Sequence, residues 1–321
     1  MKRAPLIAAL ALLAVPAAAG AQDPVPAPAP EPTPATITLT VKGLESGQVL
    51  AGTKYTVEGV VRPYVAGQKV KVLVTRHGRK VSTNEVSVKP DGSVGRFTLQ
   101  RTASGHGTTR AQAVHDASAQ MAAATSNTRR YRVVAARAKE GSRGLAVRVL
   151  QRGLAKKGYV VGRRGVYDGR TARAVLAFRK ITGMPRTYGA NSTVFKKLAR
   201  GAGTFKVRYP SHGRHVEGDL THQVLALISG GKAVRIYPMS SGKPSTPTIT
   251  GNFRVYMKEP GTNSHGMIYS SYFIRGYAVH GYVDVPVYPA SHGCLRIPPP
   301  DAISVYNWMR VGTPVDTYHR W

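Results

Sequence analysis

The chain has 321 residues, 46 of them Lys or Arg against 15 Asp or Glu, giving a formal net charge of +31, and it carries one cysteine. A lone thiol rules out an intramolecular disulfide, and the basic residues are scattered instead of gathered in one aromatic-flanked patch, which argues against a nucleic-acid partner. So large a positive excess attracts polyanions through long-range fields; retention on an anionic cell envelope and a merely solvated basic surface both accommodate it.

Met1-Lys2-Arg3, an Ala/Leu-rich stretch to Ala19 and the small-residue run Ala19-Gly20-Ala21 follow the order of a secretory signal, expected over residues 1–21, with an uncleaved anchor as the other reading. Either one puts the rest of the protein outside the cytoplasm, in the cell envelope. Residues 22–35 alternate Pro with Ala, Val and Glu, which favours an extended linker and cannot bury a core.

Residues 36–135 read as strands. Thr36 to Val41, Lys69 to Val74 and Glu85 to Val88 alternate apolar with polar, and Arg76-His77-Gly78-Arg79 and Pro90-Asp91-Gly92 are turn signals between them. About seven short strands in such a length predict an immunoglobulin-like β-sandwich. No chemistry clusters there, so a spacer or adhesion role is expected.

The period changes over residues 139–201. Ala146, Val149, Leu150 and Leu154 fall at helical spacing; Asp168 or Thr171 is placed to cap a second helix through Val175, Phe178 and Ile181; a third short helix spans Ser192 to Leu198. Gly144 to Gln151, Gly158-Tyr159 and Tyr167 to Val175 resemble the three-helix peptidoglycan-binding domain, with Arg179 standing where that family usually has Gln. The resemblance implies binding of wall glycan or stem peptide.

Strands return in residues 205–318, at Gln223 to Ile228, Lys232 to Tyr237 and Gly251 to Tyr256, the first two split by the hairpin signal Ser229-Gly230-Gly231. A helix near Asp301 to Met309 closes the domain. The fold class is therefore multidomain and mainly β.

Cys294 lies in Ser291-His292-Gly293-Cys294-Leu295-Arg296, shortly after His280-Gly281. A free thiol ionises at a pH of about 8.5, so cationic neighbours are needed to hold a thiolate at neutrality, and His292, Arg296 and His280 are the candidates. In an extended strand His292, Cys294 and Arg296 would share a face. Gly281 and Gly293 would let a substrate backbone approach, and the amides of Gly293 and Cys294 are natural oxyanion donors. No metal or cofactor is expected, since His265, His280 and His292 lack acidic partners at short spacing; His265 is expected in a solvated loop.

His280-Gly281 followed by Ser291 to Arg296, with Thr248 to Phe253 and a strand Tyr272 to Val279 leading into the histidine, resembles the catalytic domain of the L,D-transpeptidases (YkuD domain). The resemblance implies that Cys294 attacks a peptidoglycan tetrapeptide stem and releases D-Ala. His280 would be the base, oriented by the Gly281 carbonyl. Ser291, His292 and Arg296 would lie against the stem, the Gly293 and Cys294 amides would hold the oxyanion, and a neighbouring stem's amine would accept the acyl group. An L,D-carboxypeptidase using water and a non-catalytic wall-binding protein are the alternatives. A papain-like peptidase fits less well, because there the cysteine precedes the histidine. The expected partners are stem peptides, glycan and anionic wall polymers, and a monomer is expected.

Overall fold

The computed structural model describes residue 1 and residues 31–320; apart from Met1 and residues 31–35, the expected signal and linker lie outside the described residues. The first unit is two facing sheets. One has the order β1 (Thr36–Lys42), β3 (Lys54–Arg62), β7 (Val94–Thr102), β6 (Lys89–Asp91). The other has the order β2 (Gln48–Leu50), β10 (Arg129–Val134), β8 (Gly107–His115), β4 (Lys69–Arg76), β5 (Arg79–Ser87), with β9 (Ala124–Thr125) on β8. Period-two alternation sends Val57, Val61, Val70, Val72, Val74, Ala111 and Ala113 inward to a shared core. The strands outnumber the seven expected because β2, β6 and β9 are too short to show a period. The β4–β5 turn uses His77 and Gly78 at φ 48° and 76°, the left-handed pair of a tight hairpin. No disulfide ties the sheets; the Tyr131 hydroxyl donates to that of Tyr55 across them at 2.9 Å.

Three helices follow: α1 (Leu145–Ala155), α2 (Gly169–Ile181) and α3 (Ser192–Ala199). Asp168 Oδ1 accepts from Thr171 N at 2.9 Å and Asn191 Oδ1 from Val194 N at 3.2 Å, so α2 and α3 have N-caps of the usual chemistry. Gln151, 4 % exposed, satisfies itself inside the bundle, donating to the carbonyls of Arg163 and Val166 and to Thr171 Oγ1 and accepting from Gly165 N.

The last unit has one sheet ordered β13 (Lys232–Pro238), β12 (Val224–Ser229), β11 (His215–Asp219), β19 (Pro314–Tyr318), β14 (Gly251–Arg254). A second is ordered β15 (Met257–Thr262), β16 (Ile268–Ile274), β17 (Tyr277–Gly281), β18 (Leu295–Ile297), with α4 (Pro299–Trp308) packed on β16 and β17. β12 explains its own sequence. Val-Leu-Ala-Leu-Ile does not alternate because both faces are covered. Val224, Ala226 and Ile228 join Leu150, Leu154, Tyr159, Val175 and Phe178 of the helices, while Leu225 and Leu227 join Phe273, Val279, Leu295 and Ile297 of the second sheet. The helices thus share their core with the C-terminal sheet. Tyr272 to Val279 is a hairpin instead of one strand, broken at Arg275, whose φ is 48°.

A buried polar cluster ties β11 to β19. His215 Nε2 lies 3.2 Å from Glu217 Oε1 and 3.8 Å from Asp316 Oδ2, and the Tyr318 hydroxyl donates to Glu217 at 2.6 Å. Burial alone would raise the Glu217 pKa, but His215, Tyr318 and the Tyr209 and Arg208 amides outweigh it, and the net shift is below the ordinary 4.5. Asp219 is likewise pulled below 3.8 against its burial, by His222 and Arg320. His215 goes the other way: burial disfavours its charge, but Glu217, the Gly213 carbonyl and Asp316 raise its pKa above 6.5. The carboxylates therefore contribute stability above their unfolded values and lose it as the pH falls; His215 contributes fully below 6.5 and less as the pH rises through its raised folded value. Thermal melts should lose stability in acid below 4.5, and Glu217→Gln should flatten that limb. An unchanged acid limb in the variant would assign the loss to other groups.

Candidate active site

β17 and β18 run parallel in the register Val279 to Leu295, His280 to Arg296 and Gly281 to Ile297. Val279 and Leu295 point into the core at 2 % and 0 % exposure. Alternation therefore turns Ala278 and His280 of β17, and Arg296 of β18, to the opposite face; Cys294 lies immediately before β18, with its Sγ 3.7 Å from the carbonyl of Gly276, just ahead of β17. The parallel register is how His280 and Arg296, distant in sequence, come side by side.

The chain before Leu295 is not a strand. Gly293 has φ +115°, and a Cβ there would lie 2.3 Å from the Tyr277 ring, so the bend requires glycine on both conformational and steric grounds. The expected face of His292, Cys294 and Arg296 therefore fails at its first member, since the turn at Gly293 breaks the period and leaves His292 exposed. The bend is held on every side. Ser291 Oγ donates to the Cys294 carbonyl at 2.6 Å and accepts from Gly293 N at 3.1 Å, and Thr248 Oγ1 donates to the Gly293 carbonyl at 2.8 Å. The Ser291 carbonyl accepts from Lys243 N at 2.9 Å and Thr246 Oγ1 at 3.1 Å.

Two expectations change. Ser291, at 0 % exposure, is a clamp for the bend and is closed to substrate. The Gly293 amide is already committed to Ser291 Oγ and is not a free oxyanion donor. The glycines also serve different neighbours from those expected: a Cβ on Gly281 would lie 2.6 Å from Ala302 Cβ of α4, so its missing side chain admits the helix and not a ligand.

His280 is 2 % exposed, and its Nδ1 lies 2.9 Å from the Gly281 carbonyl, which assigns the proton to Nδ1 and leaves Nε2 as a lone-pair acceptor. Burial pushes its pKa down to about 4; the Gly281 carbonyl opposes this and Arg296 adds to it. Burial also raises the Cys294 thiol above its ordinary 9.0, against the pull of the Ala278 amide and Arg296. Sγ sits 3.7 Å from the Gly276 carbonyl. The resting pair is a neutral thiol and a neutral imidazole, not the standing thiolate expected from the basic neighbours, because desolvation penalises both ions.

Residues 213–316, which contain all of these groups, match the YkuD family, the L,D-transpeptidase catalytic domain. The crystal structure of an L,D-transpeptidase from Xylanimonas cellulosilytica is 34% identical, covers 57% of this chain and 97% of that one, and superposes with a TM-score of 0.51. This chain belongs to the L,D-transpeptidase family. The catalytic domain of the Enterococcus faecium L,D-transpeptidase, solved by NMR, is 28% identical over 33% of this chain and 98% of that one, with a TM-score of 0.30. The same domain acylated by ertapenem is 29% identical over 33% and 97%, with a TM-score of 0.28. No curated protein matches.

The L,D-transpeptidase fold brings further side chains to the site that sequence reasoning passed over. The Arg296 guanidinium lies 4.1 Å above the Tyr282 ring and within 3.5 Å of the Asp284 carbonyl, while the Tyr282 ring meets His280 edge-on at 5.7 Å. Tyr282 thus contacts both the cation and the imidazole. Tyr277, packed on Gly293, and Thr248, bonded to its carbonyl, hold the bend before Cys294. The sequence carried weak signals for these: Tyr277 and Tyr282 flank His280-Gly281, and Thr248 opens a run already singled out. His265 is exposed in a loop.

Proposed function

We propose that this protein is an exported cysteine transpeptidase that cross-links peptidoglycan stems in the cell envelope. The observation that carries the reading is the pairing of β17 with β18, which carries His280, with Nε2 left free by the Gly281 carbonyl, while the half-buried Cys294, just before β18, sets its Sγ 3.7 Å from the Gly276 carbonyl just ahead of β17. Cys294 Sγ attacks the carbonyl of the third residue of a tetrapeptide stem as His280 Nε2 takes its proton. The tetrahedral intermediate collapses to a thioester, and the proton passes from His280 to the departing D-Ala amine. A side-chain amine of a neighbouring stem then attacks the thioester, giving its proton to His280, which returns it to the thiolate as the cross-link forms. Because the Gly293 amide is held by Ser291, the Cys294 amide, which has no such partner among the described residues, is the backbone donor for the oxyanion. Arg296, steadied by Tyr282, and the exposed His292 supply positive and polar groups to the stem. The helices and the net charge of +31 serve retention on glycan and anionic wall polymers.

The test is incubation of the protein with a disaccharide-tetrapeptide and mass analysis of the products. The expected product is a dimer lacking one D-Ala. Tripeptide alone would make water the acceptor and the protein a carboxypeptidase; unchanged substrate would remove the reading.

A further inference from the structure

Lys180 lies on α2, outside the catalytic unit, yet it is 3 % exposed and its ammonium donates to two carbonyls of that unit, Gln223 at 3.0 Å and Met239 at 2.9 Å. A lysine is seldom buried so deeply, because its charge loses its hydration. Here burial pushes its pKa down to about 7. What the two carbonyls belong to gives this arrangement its meaning. Gln223 is held at φ 57°, and its carbonyl accepts from Met239 N at 3.0 Å as well. Its side chain accepts from Ser241 N at 2.9 Å and donates to Ser241 Oγ at 2.7 Å. The Ser241 carbonyl then accepts from Ala290 N and Ser291 N, both at 2.9 Å, while Ser240 exchanges two 2.9 Å bonds with Arg296. Ser240 Oγ also donates to the Tyr288 carbonyl at 2.7 Å.

Residues 239–241 thus form a strip with Lys180 on one side and the segment from Tyr288 to Arg296 on the other. Its inner links are buried, Met239, Ser240 and Ser291 at 0 % exposure, Gln223 at 1 % and Ser241 at 3 %, while Ala290 and Arg296 are half-buried and Tyr288 is exposed. The inner links have no water to substitute for a lost member, so their geometry is transmitted. We infer that Lys180 of the helical bundle is a positioning residue for Cys294, fixing through Gln223 and residues 239–241 the strip on which Ser291 and Arg296 are hung. The bundle is then a part of the catalytic machinery and not only a module tethered beside it. The inference rests on the reading of Cys294 as the nucleophile.

The experiment compares Lys180→Met with wild type and with Gln151→Leu, which removes a buried polar hub inside the bundle and touches none of the strip. Acylation by ertapenem is followed by intact mass against time and concentration, with melting temperature measured in parallel. For Lys180→Met the acylation rate at saturation is expected to fall at least tenfold, roughly what misplacing a reacting group costs, with the half-saturating concentration shifted by less than about twofold. Gln151→Leu should lower the melting temperature while keeping the saturating rate. Gln223→Met cuts the same path closer to Cys294 and should reproduce the rate loss, which keeps the test valid if Lys180→Met does not fold. A folded Lys180→Met or Gln223→Met that acylates at the wild-type rate, or a rate loss that tracks melting temperature in all variants, would overturn the inference. Wild type that forms no adduct at Cys294 would instead remove the functional reading beneath it.

Discussion

Replacing His280 with glutamine is expected to slow acylation of Cys294 by roughly 10²- to 10⁴-fold, the range ordinarily supplied by a positioned general base. The size of the effect follows from the resting state. Burial holds the thiol above its ordinary 9.0, so almost no thiolate exists at neutral pH without a proton acceptor. In the proposed mechanism His280 is that acceptor, its Nδ1 committed to the Gly281 carbonyl and its Nε2 unprotonated. The same burial sets the pH dependence. A histidine with its pKa pushed down to about 4 is neutral over the whole physiological range, and only its protonation in acid removes the base. The acylation rate of wild type should therefore rise with pH through about 4 and be flat above it. Stopped-flow or quenched acylation across that range reads the limb directly. A limb at the ordinary 6.5 would mean that His280 is more hydrated than its 2 % exposure indicates.

Gly293→Ala is expected to cost about 10²-fold in acylation with the fold retained, since a displacement of the order of an ångström at the nucleophile is enough for such a loss. Two penalties act together. The residue has φ +115°, a region that side chains avoid, and the new methyl would lie 2.3 Å from the Tyr277 ring. The backbone term alone is worth about 1–3 kcal/mol. These contributions separate experimentally: Tyr277→Ala in the Gly293→Ala background removes the overlap and leaves the backbone strain, so it should recover only part of the rate. Full recovery would make the clash the whole effect, and a Gly293→Ala protein acylating at the wild-type rate would show that the bend does not set the nucleophile.

The contrast between what the sequence displayed and what it hid follows from the range of the interactions. Asp168 as a cap and the alternation of β4 depend on neighbours a few residues away, so both were legible. The run of β12 read as a strand but could not say that the helices form one of its walls, because that depends on packing between distant segments. At the site, residue identities were legible and their geometry was not. Alternation through His292, Cys294 and Arg296 assumed an extended chain, and Gly293 breaks it. Ser291 reads as a polar residue beside a nucleophile, yet the strip from Ser240 to Gly242 buries it. Lys180 reads as the polar end of an amphipathic helix; only the carbonyls that the C-terminal sheet brings to it show that it points inward.

Whether Cys294 is the nucleophile is decided by peptide-mapped mass spectrometry of wild type and Cys294→Ala after incubation with a tetrapeptide donor and, separately, with ertapenem. An acyl adduct confined to the peptide containing Cys294 is expected in wild type and none in the variant. An adduct on another residue, an adduct that survives in Cys294→Ala, or no adduct in wild type with either compound would contradict that role.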